Sequence, residues 1–121
     1  MKKSILRDRA KDFALRVITV CDTIDTKKNR GALTNQIVRS ATSVGANIHE
    51  AGYGESKADF IHKLQIALKE CYETEYWLEM LQGCGAIPDD TAKALLQECG
   101  TIRTMLISSI CTAKKNRDGE Q

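Results

Sequence analysis

Between Phe60 and Leu81 the chain alternates steps of four and three: Phe60, Leu64, Ala67, Cys71, Thr74, Leu78, Leu81. This repeat excludes a strand, which would place core residues at every second position. It predicts a long helix whose buried seam runs nearly along its axis. Such a seam suits neighbours packed close to parallel, as in coiled coils and helical bundles. One helix cannot bury its own stripe, so the rest of the chain has to supply the partners.

Three further stretches carry the same signature. Leu6, Ala10, Phe13, Val17, Cys21 and Ile24 mark a first helix, broken at TKKNRG, where Gly31 is the expected breaker. A second stripe, Ile37, Ala41, Val44, Ile48 and Ala51, stops at Gly52-Tyr53-Gly54. The third helix ends at GCGAIP. A fourth starts after Pro88, with Asp89 and Asp90 against its positive end, and carries Ala92, Leu95, Cys99, Ile102 and Leu106. Four helices with short connections predict one all-α domain over residues 1–121. Its fold class is an antiparallel up-down-up-down four-helix bundle, with a tail that frays from about residue 114. The expected core includes Phe13, Val17, Ile37, Val44, Ile48, Phe60, Leu64, Leu78, Ile102 and Leu106.

The stretch RSATSVGANIHEAGYGESKADF, residues 39–60, is the one place that invites a chemical reading. A glycine pair before a helix can cradle phosphate, but here no strand precedes it and no Gly-Lys-Ser/Thr follows. Ser56-Lys57-Ala58-Asp59 is instead a helix-start pattern, and Gly52 and Gly54 are expected to end helix 2 in left-handed geometry. Gly45, inside the helix at a cost of about 1 kcal/mol against Ala, suggests a close backbone approach. The stretch reads as a turn.

Other chemistry is equally poorly supported. The five cysteines (Cys21, Cys71, Cys84, Cys99, Cys111) contain no CxxC pair, so they read as reduced core filling rather than as a zinc or redox site. Asp59-x-x-His62 is the single acid-to-His pair at di-iron spacing. No nucleophile–base arrangement can be nominated, which predicts no catalytic residues, no metal and no cofactor. Asn47 and Glu75, beside their stripes, are either solvent-exposed or buried contacts that fix register. No apolar run approaches the ~20 residues of a membrane span, and the N-terminus lacks a signal sequence's apolar stretch. A cytoplasmic location is expected.

Charge is distributed unevenly. Residues 1–50 hold ten Lys or Arg against five acids, and the remainder eight against eleven, for a net charge of +2. An anionic partner or subunit pairing would fit. Up-down topology brings the start of helix 1 beside the end of helix 4, so Lys2, Lys3, Arg7 and Arg9 are expected to gather with Lys114, Lys115 and Arg117 as a nucleic-acid-binding end. The opposite end mixes Lys27, Lys28 and Arg30 with Asp89 and Asp90. Tyr72, Tyr76 and Trp77 widen helix 3 beyond one seam, which weakly favours a subunit interface.

The run RSATSVGANIHEA followed by SKADFIHKLQIALKECYETEYWLEML resembles the 23S rRNA intervening sequence family of four-helix-bundle proteins. Ser43, Gly45-Ala46-Asn47, Glu50-Ala51, Ser56 to Phe60, Lys69-Glu70, Glu73-Thr74 and Tyr76-Trp77-Leu78 fall in register. Helices 1 and 4 match only in pattern, and many relatives carry Pro at the position of Gly45. The family is similar to the accessory protein of diversity-generating retroelements, a pentamer that binds nucleic acid and a reverse transcriptase. The resemblance therefore implies a homo-oligomer, a pentamer by analogy, a nucleic-acid partner such as RNA, and a reverse transcriptase or other protein as a further partner. It implies no enzymatic activity. The combined expectation is a non-catalytic adaptor that holds nucleic acid electrostatically; the alternative is a structural or protein-binding module whose charge is incidental.

Overall fold

The computed structural model describes residues 4–119. Four helices follow one another: α1 (Ile5–Cys21), α2 (Arg30–Ala51), α3 (Lys57–Gly83) and α4 (Asp89–Gly119). Each packs on its sequence neighbour, and α1 closes the bundle against α4. Among the described residues the backbones of the diagonal pairs do not approach each other closely, so the order around the bundle is α1-α2-α3-α4.

Contacts between helices set the directions. Ser40 meets Thr74, whereas Glu50, further along α2, meets Lys63, earlier in α3. Gln82 meets Asp89 and Cys71 meets Cys99, so α3 and α4 also run in opposite senses. Arg9 reaches Glu98, while Thr19 and Val20 share a groove with Asp90 and Thr91. With α4 opposed to α1, α3 to α4 and α2 to α3, the bundle runs up-down-up-down.

The core is the set of stripes read from the sequence. Phe13, Val17, Ile37, Val44, Ile48, Leu64, Leu78, Ile102 and Leu106 are all buried. Phe60 is not: it is half-buried on α3's first turn, and the next residue, Ile61, takes the core position. At a helix end, one residue of rotation decides which side chain faces inward. Beyond the first turn of α3, residues flanking the seam on one side face α2 (Lys63, Glu70) and on the other face α4 (Glu75, Gln82).

Helix ends show where local chemistry departs from expectation. Ser4 and Ser56 cap α1 and α3, their hydroxyls accepting from the amides of Arg7 and Asp59. The α1–α2 turn is made not by Gly31, which lies in the first turn of α2, but by Lys28 and Asn29 in left-handed conformation. Asn tolerates that region better than most residues. Gly52 and Gly54 are not left-handed either. Gly52 has φ −65°, and Gly54 is needed for room: a Cβ there would sit 2.9 Å from the Asp59 carboxylate and 3.2 Å from the Ala51 carbonyl. The left-handed glycine is Gly85, φ +76°, after α3. There the Ala86 amide donates to the Leu81 carbonyl and that of Gly85 to Gln82, a Schellman ending. Finally, α4 runs through Lys114, Lys115 and Arg117 to Gly119.

Candidate nucleic-acid interface

The expected basic cluster is only partly assembled. Lys2 and Lys3 lie outside the described residues. Arg9 is held across the α1–α4 seam by Glu98, with Nε and Nη2 donating to the two carboxylate oxygens at 3.0 and 2.7 Å. This forked pair raises the arginine pKa further and commits its charge to the fold. Arg7 lines a groove between α1 and α2. The C-terminal cations stand elsewhere. Lys114 follows Glu98 by 16 positions in one helix, about 24 Å at ~1.5 Å per residue. Extending the α3–α4 register brings Lys114 level with the first turn of α3. The last turns of α4 therefore reach beyond Arg9, and topology alone did not reveal this because helix lengths differ.

Two further bundle arginines are neutralised in place. Arg39 bridges Glu70 at 3.2 Å and also pairs with Glu73. Arg103 donates from Nε to Glu75 at 2.7 Å, and lies over the Tyr72 ring. That carboxylate raises the Arg103 pKa. Of the two readings open for Glu75, the cross-helix contact holds; Asn47 donates within its own helix, to Ser43. Arg30 caps the end of α3 by donating to the Cys84 carbonyl at 2.7 Å. By contrast, Lys114 and Lys115 are exposed and form no ion pair among the described residues, and Arg117 meets only the adjacent Asp118.

One buried polar contact escaped the sequence reading. Thr74 Oγ1 lies 2.8 Å from Ser40 Oγ and 2.7 Å from the Glu70 carbonyl, and the Ser40 hydroxyl donates to Ile37 at 3.2 Å. Both side chains are fully buried at the α2–α3 seam. Thr74 sits on the stripe, and a hydroxyl at a seam position facing a Ser on the neighbouring helix is the available signal.

Core filling describes only two of the five thiols: Cys71 and Cys99 are buried, Cys21 and Cys84 are half-buried, and Cys111, on the outer side of α4, is exposed. Cys99 donates to the Cys71 carbonyl at 3.6 Å, and its contact with Cys71 together with burial pushes its pKa well up. Cys21 is pushed up to about 11 by burial and by Asp22. Neither is a ready nucleophile. Among the described residues no group of three or more His, Cys, Asp or Glu is placed to hold a metal, and no helix is long and apolar enough to cross a membrane.

The family model of the 23S rRNA-intervening sequence protein matches residues 2–108. The chain belongs to this family. A crystal structure of a protein of unknown function from the S23 ribosomal protein family of Bacteroides thetaiotaomicron VPI-5482 is 40% identical and superposes with a TM-score of 0.83. The match covers 88% of this chain and 98% of that one. No curated protein matches. Arg7 and Arg9 fall within the family region, whereas Lys114, Lys115 and Arg117 lie beyond it.

Proposed function

We propose that this protein is a non-catalytic, homo-oligomeric adaptor that binds RNA through the C-terminal turns of α4, with Lys114, Lys115 and Arg117 as the principal contacts and the N-terminal Lys2, Lys3 and Arg7 as secondary ones. One contrast carries the reading: Arg9, Arg39 and Arg103 along the bundle are matched to carboxylates, while Lys114 and Lys115 near the end of α4 are exposed and form no ion pair among the described residues. Membership of an rRNA-linked family agrees with it. With no aromatic ring among these residues, contacts are to phosphate, and sequence discrimination is slight. A ring of copies would repeat the cluster and raise the effective affinity without new contacts; the family resemblance suggests five. The competing reading, a protein-binding module, is favoured by the exposed Tyr72 and Tyr76 on α3.

RNA binding measured across a salt series separates them. Phosphate contacts give a log–log slope of about −0.7 per contact on single strands. Changing Lys114, Lys115 and Arg117 together to Gln is expected to weaken binding and flatten that slope by about 2. Unchanged affinity and slope, with fold and assembly intact, would leave the protein-binding reading in place.

A further inference from the structure

We infer that the groove between α1 and α2 holds one nucleotide of the RNA strand, its phosphate on Arg7 and Lys11 and its base against the apolar floor of Leu15, Ile18 and Gly45. The inference rests on the RNA-binding reading above and adds a base contact that the α4 cations cannot make. The groove encloses about 590 Å³, in the range of sites that hold small ligands. Its two ends differ. Gly45 lies beside Ala10, so His49, one turn further along α2, stands at the start of α1 with Arg7 and Lys11. Ala14, Leu15 and Ile18 carry the groove away from these cations, and Leu15 is 54% exposed.

Charge points to an anion. Among the described residues, neither the Arg7 side chain nor Lys11 makes a hydrogen bond or an ion pair, unlike Arg9 between them. Both stand in the first two turns of α1, where the helix end is already positive, and like charges four positions apart repel. The helix therefore carries two cations where its own electrostatics disfavour them, and an anion between them relieves both penalties. Asp8 is the one acid on the groove. It sits on the crest of α1, because it also borders the cleft on the α4 side with Arg9 and Asp12.

Size decides between a nucleotide and a protein helix. From Ala14 to Ile18 the apolar flank of α1 runs four positions, about 6 Å at ~1.5 Å per residue. That is room for one planar ring. A docking helix presents anchors at i, i+4 and i+7, which need roughly 10 Å of apolar contact. Gly45 keeps the opposite wall flat. A Cβ at this position would meet Ala10 only at 3.8–3.9 Å, an ordinary contact, so the close approach expected within the bundle does not require glycine. A helix-interior glycine that internal packing does not demand is explained by the flat surface it leaves open. His49, its ring 5.3 Å from that of Tyr53, adds a ring face at the rim. Such surfaces accept any base, so the site adds affinity without reading sequence.

Fluorescence anisotropy of the full chain tests this with a short single-stranded RNA and the same strand without bases. Wild type is expected to bind the RNA at least about fivefold more tightly, the lower end of what one base contributes by stacking. Gly45→Leu, which fills the floor, is expected to erase that ratio and keep the salt slope. Changing Lys114, Lys115 and Arg117 to Gln is expected to do the reverse, and Lys11→Gln to weaken both strands alike. Photo-crosslinking of wild type to a strand carrying thiouridine locates the base whether or not a variant folds, with attachment expected on residues 11–18 or 42–49. A wild-type chain that binds neither strand rejects the RNA-binding reading and this site with it. Equal, salt-dependent affinity for both strands leaves the α4 contacts standing and overturns the groove alone. A ratio that survives in folded Gly45→Leu, or attachment confined to α4, also overturns it and leaves the groove to a protein partner.

Discussion

Two opposite seams of the bundle, α2–α3 and α1–α4, are built differently. Along α2–α3 the contact is long and fastened at several levels: the Ser40–Thr74 hydroxyls inside, Arg39 with Glu70 and Glu73 outside, and Glu50 with Lys63 at one end. Along α1–α4 contact is the sparsest in the bundle. Among the described residues one ion pair, Arg9–Glu98, crosses it, and a groove bordered by Leu15, Val20 and Leu95 opens beside it. The difference follows from chain order. Helices α2 and α3 are joined by a tight turn, whereas α1 and α4 have no covalent connection and must close the bundle by packing alone. The segment with the least support is the one expected to open first.

Leu64 and Leu95 probe that difference most strongly, because each is 2% exposed. Leu64 belongs to the central stripe of α3, and Leu95 borders the α1–α4 groove. Replacing Leu64 by Ala leaves a cavity between well-held helices and is expected to cost roughly 2 to 5 kcal/mol. Leu95→Ala opens instead onto a groove into which neighbours and water can move, so its cost should fall near or below the lower end of that range, about 2 kcal/mol. Chemical denaturation of both variants measures the gap. Equal costs would show that the two seams are equally rigid despite their different construction.

The same contrast explains what was legible in the sequence. The α3 repeat specifies which residues turn inward wherever helices are long and straight, and so Leu64, Leu78, Ile102 and Leu106 were readable. Periodicity fades at ends, where Phe60 yielded its place to Ile61. Glycines misled because composition flags them as breakers, while backbone geometry decides: Asn29 turned the chain and Gly54 served for space. The candidate site was the least readable. Whether Arg9 is free or matched depends on which acid of α4 stands level with it, a register that no pattern within α1 contains. Sequence could nominate cations; only packing could sort them into matched and unmatched.

A smaller effect is expected at the hydroxyl pair. Thr74→Val preserves shape but deletes the group that links α3 to Ser40, and the Ser40 hydroxyl keeps its Ile37 acceptor. The loss should be that of a net hydrogen bond, about 0.5 to 1.5 kcal/mol. Thr34→Val is the matched control. Thr34 is also buried, yet its hydroxyl bonds only to Gly31 one turn earlier in its own helix. It should cost less. A double-mutant cycle of Ser40→Ala with Thr74→Val should return a coupling above about 0.5 kcal/mol if the pair fastens the seam, and one indistinguishable from zero if it does not.

The smallest effect belongs to the outer latch. The Arg39 side chain is 49% exposed, and its two acids sit at the rim of α2–α3, so water and salt screen the pairs. Arg39→Gln is expected to cost no more than about 1 kcal/mol at low ionic strength. The difference from wild type should vanish near 1 M salt, where the screening length is ~3 Å. Arg9→Gln makes the instructive comparison. It removes the Arg9–Glu98 pair across a sparse seam, so its effect should appear locally, as faster hydrogen exchange along α1 than along α3. Arg39→Gln, with the Ser40–Thr74 contact still beneath it, should leave that exchange pattern unchanged. If removing Arg39 frees α2 as selectively as removing Arg9 frees α1, the α2–α3 seam depends on its surface charges after all, and the hydroxyl pair beneath contributes little to holding it closed.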